Sequence, residues 1–120
     1  MTPEGKVKKK VNAALKALGV DCWRFMPVQT GYGSPALDYL ICFKGRFIAI
    51  ETKAPGKKLT PLQESTKAAM EAAGALVLIV DGDESLENAR RTICEIGREH
   101  ARGWQGAGAL DQSVQHKKAA

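Results

Sequence analysis

Two apolar runs, residues 36–43 and 46–53, are separated only by Lys44-Gly45. Two residues cannot carry a chain far, so the runs are expected to fold back on one another as an antiparallel hairpin. If Lys44-Gly45 is the whole turn, Phe43 faces Arg46. Pairing then runs outward until Asp38 stands opposite Glu51 and Ala36 opposite Lys53. Opposed residues share a face, with Cβ atoms about 5 Å apart. Lys53 lies two residues beyond Glu51, on the same face and ~6.6 Å further along. One surface therefore carries Asp38, Glu51 and Lys53. Two bare carboxylates at that spacing repel each other. A hard divalent cation resolves the conflict, and Mg²⁺ characteristically takes one or two carboxylates and keeps several waters. A lysine beside such a cation can orient a water for attack on phosphorus. A plain salt bridge between Lys53 and the acids uses the same three residues, and E-x-K alone does not choose between the two.

Length and composition bound the rest. The 120 residues suffice for one domain with a real core. Apolar residues are 44% and charged residues 26%, ordinary for a globular chain. No apolar run approaches the ~20 residues of a membrane span, and no secretory signal opens the chain. Cys22, Cys42 and Cys94 are irregularly spaced, which suggests a reducing compartment and neither a disulfide framework nor a zinc site. Cys42 and Cys94 are expected in the core, as is Trp23. The net charge of +5 favours a polyanionic partner, most often nucleic acid. Lys6, Lys8, Lys9, Lys10 and Lys16 cluster near the start, and Lys53, Lys57 and Lys58 near the middle. Charge by itself says nothing about catalysis.

The remaining elements follow from capping and periodicity. Thr2-Pro3-Glu4 opens a helix with a Thr N-cap and Pro at the first helical position, and Val7, Val11, Leu15 and Leu18 form its apolar stripe. Glu4 falls on that stripe, where an acid either serves the helix dipole or points at a site beneath. Residues 21–28 read as a strand. Residues 29–35 form a glycine-bearing loop in which Tyr32 is a candidate substrate contact. Thr60-Pro61 opens a second helix whose buried side is marked by Leu62, Ala69, Met70 and Ala73. Residues 75–80 read as a buried strand and 84–99 as a third helix carrying Leu86, Ala89, Ile93 and Ile96. Residues 1–100 are expected to form the domain and 101–120 a flexible tail. The order is α-β-β-β-α-β-α, an α/β fold with a mixed four-stranded sheet flanked by helices.

Taken in order, a helical Glu4, G-x-G-S-P-x-x-D at residues 31–38, the hairpin, E-T-K at 51–53 and L-T-P-x-Q at 59–63 resemble the PD-(D/E)xK nuclease superfamily. Within it the chain is similar to a stand-alone VRR-NUC domain of phages and bacteria. The resemblance covers roughly residues 3–81. Here Pro35 stands three residues before the acid rather than beside it, and the namesake V-R-R triplet is not evident. The resemblance implies a restriction-endonuclease-like core and a Mg²⁺- or Mn²⁺-dependent deoxyribonuclease. Asp38 and Glu51 would be metal ligands, with the Thr52 backbone carbonyl a third and Glu4 approaching through water. Lys53 would position the attacking water, and Gln63 would support the site. Apart from the resemblance, charge and position make Lys8, Lys9, Tyr32, Lys57 and Lys58 candidate DNA contacts, with plain solvent exposure the alternative for Lys57 and Lys58. Stand-alone relatives further imply a homodimer, branched DNA such as a Holliday junction as substrate, and the cytoplasm of a bacterial or phage-infected cell. A non-catalytic nucleic-acid-binding module on the same scaffold is the alternative. Every site position is occupied by a competent residue, which argues against it, and a purely structural interaction domain would leave the Asp-Glu-Lys-Gln set unexplained.

Overall fold

The computed structural model describes the backbone of residues 1–27 and 36–119, and side chains of residues 1–27 and 36–103. Tyr32 and the rest of the 28–35 segment lie outside the described residues. Helix α1 spans Pro3–Ala17 and is capped by Thr2, whose side chain accepts a hydrogen bond from the Gly5 amide. Its buried stripe is Val7, Val11 and Leu15. A single 3₁₀ turn at Gly19–Asp21 leads into β1, Cys22–Phe25. Strands β2, Tyr39–Phe43, and β3, Arg46–Thr52, form the hairpin. Helix α2 spans Pro61–Ala72, β4 Leu76–Val80, and α3 runs from Asp83 to Ala119. The backbone of α3 thus remains helical through the stretch that the sequence suggested as a tail.

The strand order is β1-β2-β3-β4. The first two pairings are antiparallel and β3 runs parallel to β4, as the β-α-β crossover requires. Phe43 pairs with Arg46, and the register continues without slip to Tyr39 opposite Ile50. The turn takes Lys44 to φ +52° and Gly45 to φ +78°. Two successive left-handed residues make the turn type whose twist matches a two-residue hairpin.

The two faces of the sheet are covered unequally. On one, α1 and α3 pack over Tyr39, Ile41, Phe43, Ile48 and Ile50, with Val80, Ala89 and Ile93 completing a buried core. On the other, the smaller cluster of Leu37, Ala49 and Val77 lies with Met70 of α2 and Ile79 of β4. Helix α2 is rotated from the expected orientation. Thr66 is buried and Gln63 and Met70 half-buried, whereas Leu62, Ala69 and Ala73 are exposed. The stripe at 63, 66 and 70 is equally helical in spacing, and it turns Gln63 toward the hairpin. The β1–β2 half of this face is not covered by α2. Trp23 and Phe25 stand exposed there, as does Cys42. Cys94 is also exposed, so of the three thiols only Cys22 belongs to the core. Alternation says which residues share a face, and not whether that face is covered.

Candidate active site

Asp38 and Glu51 are the next facing pair beyond Tyr39–Ile50, and backbone donors from opposite strands hold both carboxylates. The Asp38 amide donates to Glu51 Oε1 at 3.0 Å. The Thr52 amide and hydroxyl both donate to Asp38 Oδ2, at 2.9 and 2.6 Å. Hydrogen bonds to a charged acceptor are shorter and stronger than neutral ones, so this crossed pair both locks the register and orients the acids. Thr52 was expected to act through its carbonyl; the contacts seen here use its amide and hydroxyl. Its hydroxyl contribution has no signal in an E-T-K motif read as E-x-K.

Glu51 is only 3% exposed. Burial, and then the negative charge of Asp38, push its carboxyl up to about 7. The Asp38 amide and Lys53 pull in the other direction without prevailing, and Glu4 adds a weaker upward push.

Helix α2 supplies the third part. Gln63 Nε2 donates to Glu51 Oε2 at 2.7 Å, while Gln63 Oε1 accepts from Lys53 Nζ at 3.0 Å. The same Oε1 accepts from the Thr60 amide at 2.9 Å, and the Gln63 amide donates to Thr60 Oγ1. Gln63 is therefore the N3 residue of a capping box and also the link between Glu51 and Lys53. The T-x-x-Q spacing that makes the cap was present in the sequence and would have placed Gln63 at the helix start, facing the strand ends. Lys53 itself is fixed by pairing of its amide with the Val80 carbonyl at 2.9 Å.

Helix α1 supplies the fourth part in an unexpected way. Lys8 Nζ lies 3.8 Å from Asp38 Oδ1 and 3.7 Å from Glu4 Oε2. The helix is pinned there by the buried Tyr39, whose hydroxyl donates to the Lys8 carbonyl at 3.4 Å. Burial first, and then Asp38, push the Tyr39 hydroxyl up to about 12. Glu4 thus reaches the acid pair through Lys8. Lys8, expected on an outer DNA-facing surface, is half-buried and turned toward the carboxylates. The spacing i to i+4 between Glu4 and Lys8 allowed that pair, but nothing in the sequence placed it over Asp38. Lys9, Lys57 and Lys58 are exposed.

A cleft of about 170 Å³ opens over Asp38 and Glu51, between Ala36 on one side and Thr60, Gln63 and Thr66 on the other. Its acidic donors are oxygen, the class that hard cations prefer. Among the described residues no three or more His, Cys, Asp or Glu side chains form a cluster for a metal. A cation held here would have two carboxylates and complete its shell with carbonyl oxygen or water, which is a Mg²⁺ pattern rather than a Ca²⁺ cage. Both carboxylates line the cleft, and positive charge held there would offset the repulsion between them.

No protein-family model matches the chain, and no curated protein matches it. Among solved structures, the chain is similar to one described as a VRR_NUC domain, with a TM-score of 0.63 and 26% sequence identity. The match covers 73% of this chain and 94% of that one. A mixed sheet of this order, matched over nearly the whole of a VRR_NUC domain, supports a VRR-NUC-type, nuclease-type domain with a restriction-endonuclease-like fold.

Proposed function

We propose that this protein is a deoxyribonuclease that hydrolyses phosphodiester bonds with the help of Mg²⁺ or Mn²⁺. The observation that carries this is the acid pair, half-buried Asp38 and buried Glu51, held by reciprocal backbone hydrogen bonds and joined through Gln63 to Lys53. Asp38 and Glu51 would hold the cation, with the Thr52 carbonyl as a further ligand and Glu4 reaching it through water. When bound, the cation lowers the pKa of water and offsets charge developing on the phosphate. Lys53 orients the attacking water and meets that same charge from the side. The water oxygen gives up a proton to solvent and forms a bond to phosphorus, the bond to the leaving ester oxygen breaks, and that oxygen takes up a proton from solvent. Gln63 keeps Glu51 and Lys53 in a fixed relation throughout. Lys9, Lys57 and Lys58 contact phosphates flanking the cleft.

Branched DNA such as a Holliday junction is the proposed substrate, and a homodimer the proposed working form. A two-fold axis would present two clefts to two strands. The test is incubation with linear duplex, single-stranded, flap and four-way-junction DNA in Mg²⁺, Mn²⁺ or EDTA. Cleavage is expected with metal only, and fastest on the junction. Asp38→Ala should abolish it, and Lys53→Ala should slow it by about 10²–10⁴-fold. Failure to cut any substrate, with binding retained in EDTA, would leave a non-catalytic nucleic-acid-binding module. Sedimentation velocity should give the mass of a dimer.

A further inference from the structure

Among the described residues, the half of the sheet face that α2 leaves open lies beside the proposed catalytic cleft. Trp23 pairs with Cys42, Phe25 with Leu40 and Phe47 with Cys42, so these aromatic residues share the face of Asp38, Glu51 and Lys53. Asp38 lies two residues from Leu40 along the same strand line. From strand spacing, Phe25 Cα is roughly 8 Å from Asp38 Cα. The Trp23 and Phe25 rings stand nearly parallel, 12° apart in plane and 6.4 Å between centroids. Trp23 is 65% exposed, Phe25 51% and Phe47 45%. Leu62, also exposed, stands on the first turn of α2 and lines the cleft.

A row of large apolar side chains left open beside a polar site marks a candidate contact surface. A second copy of this chain is a poor fit. At about 150–250 Å² per aromatic side chain, the exposed parts of the three rings amount to roughly 350 Å². A stable protein interface takes about 800 Å² from each partner. A nucleic-acid strand needs no such area, because each base stacks on one ring. The charge also suits it: exposed Lys57 and Lys58 follow the strand that carries Glu51 and Lys53, and the chain is +5 overall.

We infer that Trp23 and Phe25 form a stacking shelf for unpaired bases, which delivers a single-stranded segment of the substrate to the acid pair. This rests on the nuclease proposal for the adjoining cleft and narrows its substrate to branched DNA whose nucleotides next to the scissile phosphate open at the branch point. Stacking is indifferent to sequence because every base has a π-face. The shelf therefore selects for strand state and not for base identity.

The test is binding in EDTA, where no cleavage occurs, using the full chain, a labelled oligo-dT, a blunt duplex and a splayed duplex. In a Trp104→Phe background Trp23 is the remaining tryptophan, and oligo-dT should quench its emission. Trp23→Ala and Phe25→Ala should each weaken binding of oligo-dT and the splayed duplex by on the order of ten- to a hundredfold. Blunt-duplex affinity should change by less than about twofold, because phosphate contacts carry it. Trp23→Phe should retain most of the affinity. Both side chains are exposed, so their loss leaves no internal cavity, and an unchanged circular dichroism melt checks this. Equal losses for duplex and single strand, or no quenching, would overturn the shelf. A drop in sedimenting mass for Trp23→Ala would also overturn it, by assigning the patch to a second copy. Metal-dependent cleavage without quenching sinks the shelf alone. Quenching without cleavage on any substrate sinks the nuclease proposal alone.

Discussion

Glu51 is the side chain on which pH and metal converge. Its folded carboxyl sits at about 7, above the ordinary carboxylate value of 4.5, because it is buried and faces Asp38. Between those values the folded state binds a proton that the unfolded chain has released, so stability falls as pH rises. Over the whole window the loss attributable to Glu51 is about 3 kcal/mol. Melting in EDTA should therefore show a Tm that declines from pH 5 to pH 8. Glu51→Gln should remove that decline and melt above wild type at pH 8, while losing nuclease activity. Adding Mg²⁺ to the wild type should raise Tm most at high pH, where the proton no longer competes. A second expectation concerns Gln63. Gln63→Ala removes one half of the α2 capping box and releases Lys53. It should cost about 1 kcal/mol in urea unfolding. It should also lower kcat on the order of tenfold with little change in KM, because Gln63 acts through Glu51 and Lys53.

At the scale of elements, the hairpin turn governs the site, since a slip of one residue would send Asp38 and Glu51 to opposite faces. Gly45→Val places a β-branched residue at φ +78°. It should destabilise by about 1–2 kcal/mol and reduce cleavage more than stability alone explains. Lys44→Asn supplies the residue that this turn prefers at φ +52°. It should stabilise by about 0.5 kcal/mol despite losing the ion pair to Asp21, because an exposed pair contributes little. These features were legible in advance because a two-residue connection leaves one register, and because helix caps at Thr2 and Thr60 are local signals. The rotation of α2 was not. Its expected stripe of Leu62, Ala69 and Ala73 is the more apolar one, yet the docking of Gln63 on Glu51 turns the Gln63-Thr66-Met70 side inward. Trp23, Cys42 and Cys94 were misplaced for a related reason: an apolar residue in a strand or helix points somewhere definite, but coverage comes from elements distant in sequence. The approach of Lys8 to Asp38 depends likewise on how α1 crosses the sheet, a relation fixed by Tyr39 and invisible in either segment alone.

For the whole molecule, charge sets the approach to DNA. Affinity for blunt duplex in EDTA should fall at least on the order of tenfold between 50 and 200 mM salt. Lys57→Ala and Lys58→Ala should each lower the slope of log affinity against log salt by about 1, with no preference among sequences. Among the described residues no helix is long and apolar enough to cross a membrane. The unequal covering of the sheet has a further consequence. Helices α1 and α3 cover the back face, around Tyr39, Ile41 and Ile50, and the smaller core of Leu37, Ala49 and Val77 lies on the front face with α2. Substitutions on the back face will be felt as unfolding, while those on the bare front half will be felt as changes in what is gripped. A chain built this way keeps its inherited framework while its front surface drifts. In a saturation library the back-face positions should tolerate few replacements and the Trp23–Phe25 row many, so lineages can acquire new DNA preferences without first becoming more stable.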